Sequence, residues 1–460
     1  MFIVIIPVAV LLFIVLTKRL PKIGGNIYVA LFSTAVLSLL LGGVFSPGAW
    51  FRAVLDGIDR LAWVMCLSLF GSIYSEAQVQ LGTVNTIMSA LQSRFRNSPR
   101  ALVLCVVFVL VLAGSLLGDA IAASTVVGVL TIGTLVTIGL SAEVIVAIIV
   151  MGAAMGSIMP PMTQSIALAS TLVGTDPDPV FRLGFPTVAI VVVAVSLYIV
   201  FYLLRKANKP VISDNRKASE IILKNWTTLI PLFGLITVVF FRTVNTSWRF
   251  DLMPWLLMKI PAGERNLYQV MQTTLVVKGL ANGIVLCIIF ALALCFCFPK
   301  VHRNAGAVFK NGFMNVRRTL LIQLGAACML GSFYAAGQTE AVQVFAQGLN
   351  VGVLIIGGVA AMCLIGMLTG SQTTTQNVVF TFFGPALVSI GNAPIFVALA
   401  GAFFAMSGQG MPPADLTTFV VCGLVGGVVG KKVDPIKAMF YALPMCIAML
   451  AMGFIILYLF

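Results

Sequence analysis

The sequence is short of charge and almost without histidine. Only 9% of its 460 residues are Asp, Glu, Lys or Arg, whereas soluble domains carry roughly 25%. The single histidine, His302, lies in a basic stretch. This excludes histidine-based metal clusters and disfavours catalytic sites that pair a nucleophile with a histidine base. We therefore expect neither an ordinary soluble protein nor an enzyme.

Cysteine spacings that would suit a metal are also missing. The nine cysteines are scattered, mostly in apolar stretches, and only Cys295 and Cys297 lie close together. Structural metal sites need paired spacings and converging ligands. We interpret the cysteines as small residues of the core or of the lipid-facing surface.

Long apolar runs dominate what is present. The chain is 60% hydrophobic, and runs of ~20 apolar residues, the length that crosses a bilayer, recur throughout. This pattern predicts an all-α polytopic membrane protein whose first stretch is a retained span rather than a signal peptide. The ten predicted spans are 2–17, 26–45, 61–76, 143–173, 180–204, 226–242, 270–298, 319–336, 393–430 and 436–459.

The basic residues give these spans an orientation. Of the 28 Lys and Arg residues, 20 fall in the segments 18–25, 77–100, 205–225, 299–318 and 431–437. Basic loops face the cytoplasm, so we predict a multi-pass protein of the bacterial inner membrane with both termini outside. The net charge of +14 is explained by these loops and does not indicate nucleic-acid binding. Segments 49–60 and 243–268 are predicted to lie along the outer interface, and 77–94 along the inner one.

Two apolar stretches and two proline pairs do not fit simple spans. Stretches 100–140 and 351–390 are too long for one crossing, and they are interrupted at "AGSLLGDA" and "TGSQTTTQN". We predict that each is a re-entrant hairpin. The spans 143–173 and 393–430 contain "GSIMPPMTQS" and "GQGMPPADLT", and consecutive prolines break a helix.

The order span, hairpin, broken span occurs twice. "LFGSIYSEAQVQ" in the first half matches "MLGSFYAAGQTE" in the second, and the Gly-Ser pairs at Gly114 and Gly370 are taken as equivalent. We predict a first repeat over 1–204, an inside polar linker over 205–225 and a second repeat over 226–460. Each half has five spans, so the second half is inverted, which is typical of secondary transporters.

The broken elements predict an ion site in each half. Irregular backbone at membrane depth must line a protein or water cavity, and freed carbonyls there suit a hard cation such as Na⁺. We expect Na⁺ as the coupling ion, with no other metal and no cofactor. The predicted ion-binding residues are Gly114, Ser115, Asp119, Gly156, Ser157, Pro160, Gly370, Ser371, Thr373, Gly408, Gln409 and Pro412.

The polar residues around the second interruption predict a substrate site. They are uncharged, which suits recognition of hydroxyls or carboxylates, although hydrogen bonding between helices is the alternative. Asp119 and Asp415 are the two acids at membrane depth; each is either functional or the N-cap of a half-helix. The predicted substrate-binding residues are Gln164, Gln372, Thr374, Gln376, Asn377 and Asp415.

From about residue 60 the sequence resembles the large membrane subunit of tripartite ATP-independent periplasmic (TRAP) transporters. The resemblance rests on the order of "LFGSIYSEA", the Gly114 to Asp119 hairpin, "MGSIMPP", "LIGMLTGS", "GQGMPPADLTTFVV" and "ALPMCIAML". It implies an elevator mechanism and Na⁺-coupled uptake of organic acids. It also implies two partners, a periplasmic substrate-binding protein and a small membrane subunit.

We therefore predict a secondary transporter that imports a small organic anion, a carboxylate or sugar acid, with Na⁺. The alternatives are a proton-coupled transporter that uses Asp119, or a stand-alone dicarboxylate transporter of the wider ion-transporter superfamily to which TRAP transporters belong. A membrane-embedded enzyme is the alternative from another class.

Overall fold

The computed structural model describes most of the chain. It covers residues 26–95, 98–206, 217–243, 252–263, 265–338, 350–413 and 415–459, with isolated positions between 6 and 17 and between 340 and 348. Much of the predicted first span, 2–17, lies outside the described residues. So do residues 207–216 of the predicted linker and 244–251 of the second outer segment.

The described residues are almost entirely helical, which confirms the predicted fold class of an all-α polytopic membrane protein. The strands among the described residues form one two-stranded hairpin, β1 Pro261–Ala262 and β2 Arg265–Asn266. The α-helices of the first half are α1 Ile27–Leu41, α2 Pro47–Leu81, α3 Thr83–Phe95, α4 Pro99–Leu117, α5 Ala120–Ala123, α6 Val129–Thr137, α7 Ala142–Ile158, α8 Gln164–Val173 and α9 Pro177–Phe201.

The second half has a similar succession of helices. They are α10 Ala218–Asn225, α11 Ile230–Thr243, α12 Leu252–Met258, α13 Leu267–Thr273, α14 Gly283–Phe296, α15 Pro299–His302, α16 Ala305–Ala335, α17 Val351–Thr369, α18 Gln372–Thr375, α19 Thr381–Ser389, α20 Pro394–Gly410, α21 Leu416–Val429 and α22 Pro435–Leu459. Short π-helical segments, Ser124–Gly128 and Gln376–Phe380, join α5 to α6 and α18 to α19.

Five helical segments are long and apolar enough to cross a membrane by themselves, at Pro99–Leu117, Pro177–Arg205, Ala218–Val239, Val351–Thr369 and Pro435–Tyr458. Other apolar helices are shorter. One proline pair lies between α7 and α8, and the other lies between α20 and α21. The peptide bonds Pro160–Pro161 and Pro412–Pro413 are both cis.

A long antiparallel pair, α2 and α16, brings the two halves together. Gly57 lies against the carbonyl oxygen of Ala327, and Gly331 lies against that of Ala53, so neither glycine has room for a Cβ. Residue numbers rise along one helix as they fall along the other. Because these helices carry the matching "GSIY" and "GSFY" sequences, equivalent elements run in opposite directions, as an inverted repeat requires. Small residues allow this close approach in lipid.

The structure corrects two segments predicted from composition. Residues 49–60 do not form a separate interfacial segment, because α2 continues through them from its N-terminal Pro47. The predicted span 270–298 is interrupted: Val276 has a φ of 66°, and the side chain of Asn282 caps a new helix, α14. Lys278, between these breaks, forms an ion pair with Asp59 of α2.

Two units follow α3 in the first half, and two equivalent units follow α16 in the second half. Hairpin 1 is α4 to α6 and broken span 1 is α7 with α8; hairpin 2 is α17 to α19 and broken span 2 is α20 with α21. Corresponding helices begin at a constant separation in sequence. Pro99 and Val351, Ala142 and Pro394, and Gln164 and Leu416 are each 252 residues apart.

Candidate functional site

Hairpin 1 crosses broken span 1 at a point where two glycines touch. A Cβ on Gly114 would lie 2.7 Å from the Cα of Gly156, so only glycine lets the two backbones meet. One residue later, Ser115 Oγ donates a hydrogen bond of 2.5 Å to the carbonyl oxygen of Pro160. The Met162 N–H donates to the Ser115 carbonyl oxygen at 3.3 Å. These contacts gather several oxygen atoms beside the first proline pair.

The tip of hairpin 1 lies against the same bend. Gly118 has a φ of 64°, a conformation that glycine adopts at little cost, and it packs against the Met162 carbonyl oxygen. The side chain of Gln164, at the start of α8, is also beside Gly118. The structure therefore brings together the predicted residues Gly114, Ser115, Gly156 and Pro160, with Gln164 at their edge.

Hairpin 2 crosses broken span 2 in the same way, but one helical turn before the position that the Gly-Ser match predicts. A Cβ on Gly366 would lie 2.6 Å from the Cα of Gly408, so Gly366 is the counterpart of Gly114. Gly370, with a φ of 61°, is the tip residue and corresponds to Gly118. The repeated Gly-Ser dipeptide suggested the wrong pairing of Gly114 with Gly370. The structural partner of Ser115 is Met367, and that of Ser371 is Asp119.

Beside the second crossing lies a network of buried polar side chains. The backbone N–H of Gln372 donates to Gln409 Oε1 at 2.9 Å, and Gln409 Nε2 donates to Thr417 Oγ1 at 3.3 Å. The amide of Gln372 reaches the other half of the molecule, where its Nε2 donates to Ser157 Oγ at 3.3 Å. The network therefore links hairpin 2 to both broken spans.

A second bond between the halves is made by the π-helical segment of hairpin 2. Gln376 Nε2 donates to the hydroxyl of Ser165 at 2.8 Å and to its carbonyl oxygen at 3.0 Å. Gln376 is fully buried and Asn377 is 1% exposed. Three buried amide atoms here have no hydrogen-bond partner among the described residues: Gln372 Oε1, Gln376 Oε1 and Asn377 Nδ2. Such groups are costly to leave unpaired, so this place suits a polar ligand.

Both acids at membrane depth act as helix caps. Asp119 Oδ1 accepts a hydrogen bond from the Ala122 N–H at 2.8 Å. The carboxylate of Asp415 accepts from the N–H groups of Thr417 and Thr418 and from the Thr418 hydroxyl. Of the two interpretations given for these residues, the geometry favours N-caps.

The remaining predicted residues lie around these two crossings. Ser371 caps α18 by accepting from the Thr374 N–H, and the Thr374 hydroxyl donates to the Ser371 hydroxyl at 3.1 Å. Thr373 and Pro412 are half-buried at the second tip and second bend. Ser165 and Thr417, which are 252 residues apart, also belong to the site although the sequence pattern did not predict them. Aligning the two halves on their proline pairs would have revealed both as hydroxyl residues at equivalent positions.

Comparison with known proteins shows similarity of fold. No protein family and no curated protein matches the sequence. The YdaH transporter of Alcanivorax borkumensis is a similar solved structure, with a TM-score of 0.60 and 15% identity over 99% of this chain and 95% of YdaH. MtrF of Neisseria gonorrhoeae, described among antimetabolite efflux pumps, has a TM-score of 0.55 and 17% identity over 87% of this chain and 82% of MtrF. Neither structure supports the TRAP resemblance.

Proposed function

We propose that this chain is a secondary active transporter of the bacterial inner membrane that imports a small organic anion together with Na⁺. The observation that carries the proposal is the set of unpartnered, buried amide atoms of Gln372, Gln376 and Asn377 where hairpin 2 meets broken span 1. A substrate with hydroxyl or carboxylate groups would satisfy them. A catalytic hydroxyl would need an adjacent base to activate it, and the side chains that donate hydrogen bonds to the hydroxyls of this network are neutral amides.

Charge balance explains why an anion would enter with a cation. The network around Gln372 and Gln376 offers hydroxyl and amide groups, with no Lys or Arg among its described members. A carboxylate buried there without a counter-ion would carry a large desolvation penalty. Na⁺ held near the Ser115 hydroxyl and the Pro160 carbonyl would lower that penalty. Binding of either ion would then favour binding of the other, as coupled transport needs.

An elevator-type movement is the accompanying mechanistic proposal. The hairpins and broken spans form one connected unit, whereas the α2–α16 pair packs through glycines over a long contact. We propose that the first unit moves and that the second is part of the scaffold. Trp63 of α2 touches the proposed moving unit, because its Nε1 donates to the Thr171 hydroxyl at 2.9 Å.

The structural neighbours are relevant to the family of this chain and to the direction in which it transports its substrate. Their folds suggest an AbgT-like transporter, the family of YdaH, rather than a TRAP membrane subunit. MtrF is described as an efflux pump, so direction needs its own test. The proton-coupled alternative through Asp119 has less support, because the Asp119 carboxylate is engaged as an N-cap.

The test is uptake into proteoliposomes that contain the purified chain. Labelled dicarboxylates and sugar acids are offered with an inward Na⁺ gradient, with an inward proton gradient, and with neither. We expect accumulation with the Na⁺ gradient alone, and export when that gradient is reversed. Accumulation driven by protons without Na⁺ would contradict the proposed coupling.

The partners that the TRAP resemblance implies are tested in the same system. A periplasmic substrate-binding protein and a small membrane subunit remain proposals, and neither structural neighbour argues for them. Uptake by the purified chain alone would show that both are dispensable. Uptake that appears only after a periplasmic fraction is added would point to a binding protein.

A further inference from the structure

A cavity of about 630 Å³ lies between hairpin 1 and α11, apart from the polar network. Its volume is within the ~300–1,000 Å³ typical of small-molecule sites. Apolar side chains of α4, α9 and α11 form most of its wall: Phe108, Val111, Leu112, Leu116, Phe185, Leu235, Ile236 and Val239. Ser115 and Pro160, which form the first crossing, also line it.

The mouth of this cavity faces lipid. Phe108 is 59% exposed, Ile236 is 42% exposed and Phe185 is 36% exposed. Large apolar side chains with this exposure, on helices that cross a bilayer, are solvated by acyl chains. A molecule that enters the cavity through this mouth therefore comes from the bilayer and contains an apolar chain.

One cationic side chain interrupts the apolar wall. Arg182 of α9 lines the cavity; its buried Nε atom has no hydrogen-bond partner, and it makes no ion pair with any described residue. Arg182 is half-buried, and a guanidinium nitrogen enclosed by apolar side chains at membrane depth is costly unless it meets an anion. Arginine suits phosphate and carboxylate groups, which it can bind through two nitrogens at once.

The position of Arg182 along its helix indicates where that anion would sit. It follows Pro177, the first residue of α9, by five positions, which is about 7.5 Å along the axis. The other end of α9 leads to the basic residues Arg205 and Lys206, so the Pro177 end faces outwards by the positive-inside rule. Arg182 therefore lies in the outer half of the membrane, and Gly184, two residues further along α9, packs against Pro160, so the guanidinium and the first proline pair lie at similar depth.

We propose that this lateral cavity binds an anionic amphiphile from the outer leaflet, with its acidic group on Arg182 and its alkyl chain between hairpin 1 and α11. An anionic phospholipid and a free fatty acid share this chemistry. The site is distinct from the proposed substrate site, because the Gln372 and Gln376 amides do not line the cavity. Its occupant would touch Ser115, and so would lie next to the candidate cation site.

The test measures lipid binding and does not depend on transport. The purified full chain is titrated in detergent with phosphatidylglycerol, with phosphatidylcholine of the same acyl chains, and with oleate, and bound lipid is counted by native mass spectrometry. For the unaltered chain we expect about ten-fold tighter binding of phosphatidylglycerol than of phosphatidylcholine, as a charge-assisted contact predicts. Oleate that displaces phosphatidylglycerol assigns the site to anionic amphiphiles in general; oleate that does not assigns it to phospholipid.

Three variants identify the site. Arg182→Met should abolish the preference for phosphatidylglycerol, whereas Arg52→Met, on the exposed outer part of α2, should keep it. Ile236→Trp fills the mouth and should reduce binding of both phospholipids while Arg182 remains. Size-exclusion profiles and melting temperatures establish that each variant is folded. An unchanged lipid preference in Arg182→Met, or unchanged binding in folded Ile236→Trp, would overturn the proposal.

Discussion

At the scale of single residues, Ser115 makes the most direct side-chain link between hairpin 1 and broken span 1. Its hydroxyl lies 2.5 Å from the Pro160 carbonyl oxygen, so the two oxygens can face one cation. Its structural counterpart in the second half is Met367, which has no hydroxyl. We infer that any cation site beside the second crossing uses different ligands, and that the two halves differ in ion affinity.

Replacing Ser115 by Ala tests this ion site. We expect the Na⁺ concentration for half-maximal uptake to rise about ten-fold, because one oxygen ligand to the cation is lost. Ser38→Ala is the matched control, since Ser38 is a fully buried serine of α1 whose hydroxyl has no partner in the described part of the chain. Equal Na⁺ dependence in both variants would remove Ser115 from the site.

A comparison of two buried glutamines that make the same kind of hydrogen bond tests whether Gln376 acts in transport or only in structure. Gln376 donates to the Ser165 hydroxyl and Gln323 donates to the Ser68 hydroxyl, each at 2.8 Å, and both glutamines are 0% exposed. Gln323 joins α2 to α16, outside the proposed substrate site. Replacement of either by Leu should lower the free energy of unfolding by about 1–3 kcal/mol, because a buried partner is left unpaired.

Transport should distinguish the two replacements. We expect Gln376→Leu to raise the KM for substrate at least ten-fold and Gln323→Leu to leave it unchanged, as measured by initial uptake rates at fixed Na⁺. If the two variants shift KM equally, Gln376 has only a structural role.

At the scale of elements, the two glycine crossings set how closely hairpins and broken spans approach. Gly114→Ala and Gly366→Ala should each reduce transport strongly and destabilise the protein by about 1–3 kcal/mol, because the added methyl group overlaps the facing backbone. Gly357→Ala is a control on the same helix as Gly366, since a Cβ there meets nothing within 4 Å. Melting temperature and uptake are the measurements, and an inactive Gly357→Ala would show that α17 tolerates no change.

Most elements could be predicted from the sequence, and the failures have physical causes. Apolar runs and proline pairs indicate helices and their breaks, and Gly-rich interruptions indicate turns. The register between the halves was wrong by one turn, because a Gly-Ser dipeptide occurs both inside α4 and at the tip of hairpin 2. The backbone conformation of Gly118 and Gly370, with φ of 64° and 61°, identifies the true tips, and the 252-residue offset between the proline pairs gives the same register. The partners of Gln376 depend on packing between halves, which no local pattern reveals.

At the scale of the whole molecule, the elevator proposal predicts coordinated changes in accessibility. Ile121→Cys and Thr373→Cys, half-buried positions near the two tips, are introduced separately into a chain whose native cysteines are replaced. An impermeant thiol reagent is applied from each side of the membrane in turn. When Na⁺ and substrate are added, we expect labelling of both positions to rise from one side and to fall from the other. Labelling that does not respond to either ligand would argue for a fixed pathway.

The constant separation of 252 residues between corresponding helices has a consequence for which changes the chain tolerates. Loss of one residue from an α-helix turns everything beyond it by about 100° and shifts it by about 1.5 Å. One deletion inside α4 would therefore swing Gly114 away from Gly156, whereas one between Leu41 and Pro47, outside the hairpins and broken spans, leaves both crossings intact. A library of single-residue deletions should show near-complete loss of function across 99–173 and 351–429. Many substitutions at the same positions should survive, so segment length is a stricter requirement here than side-chain identity.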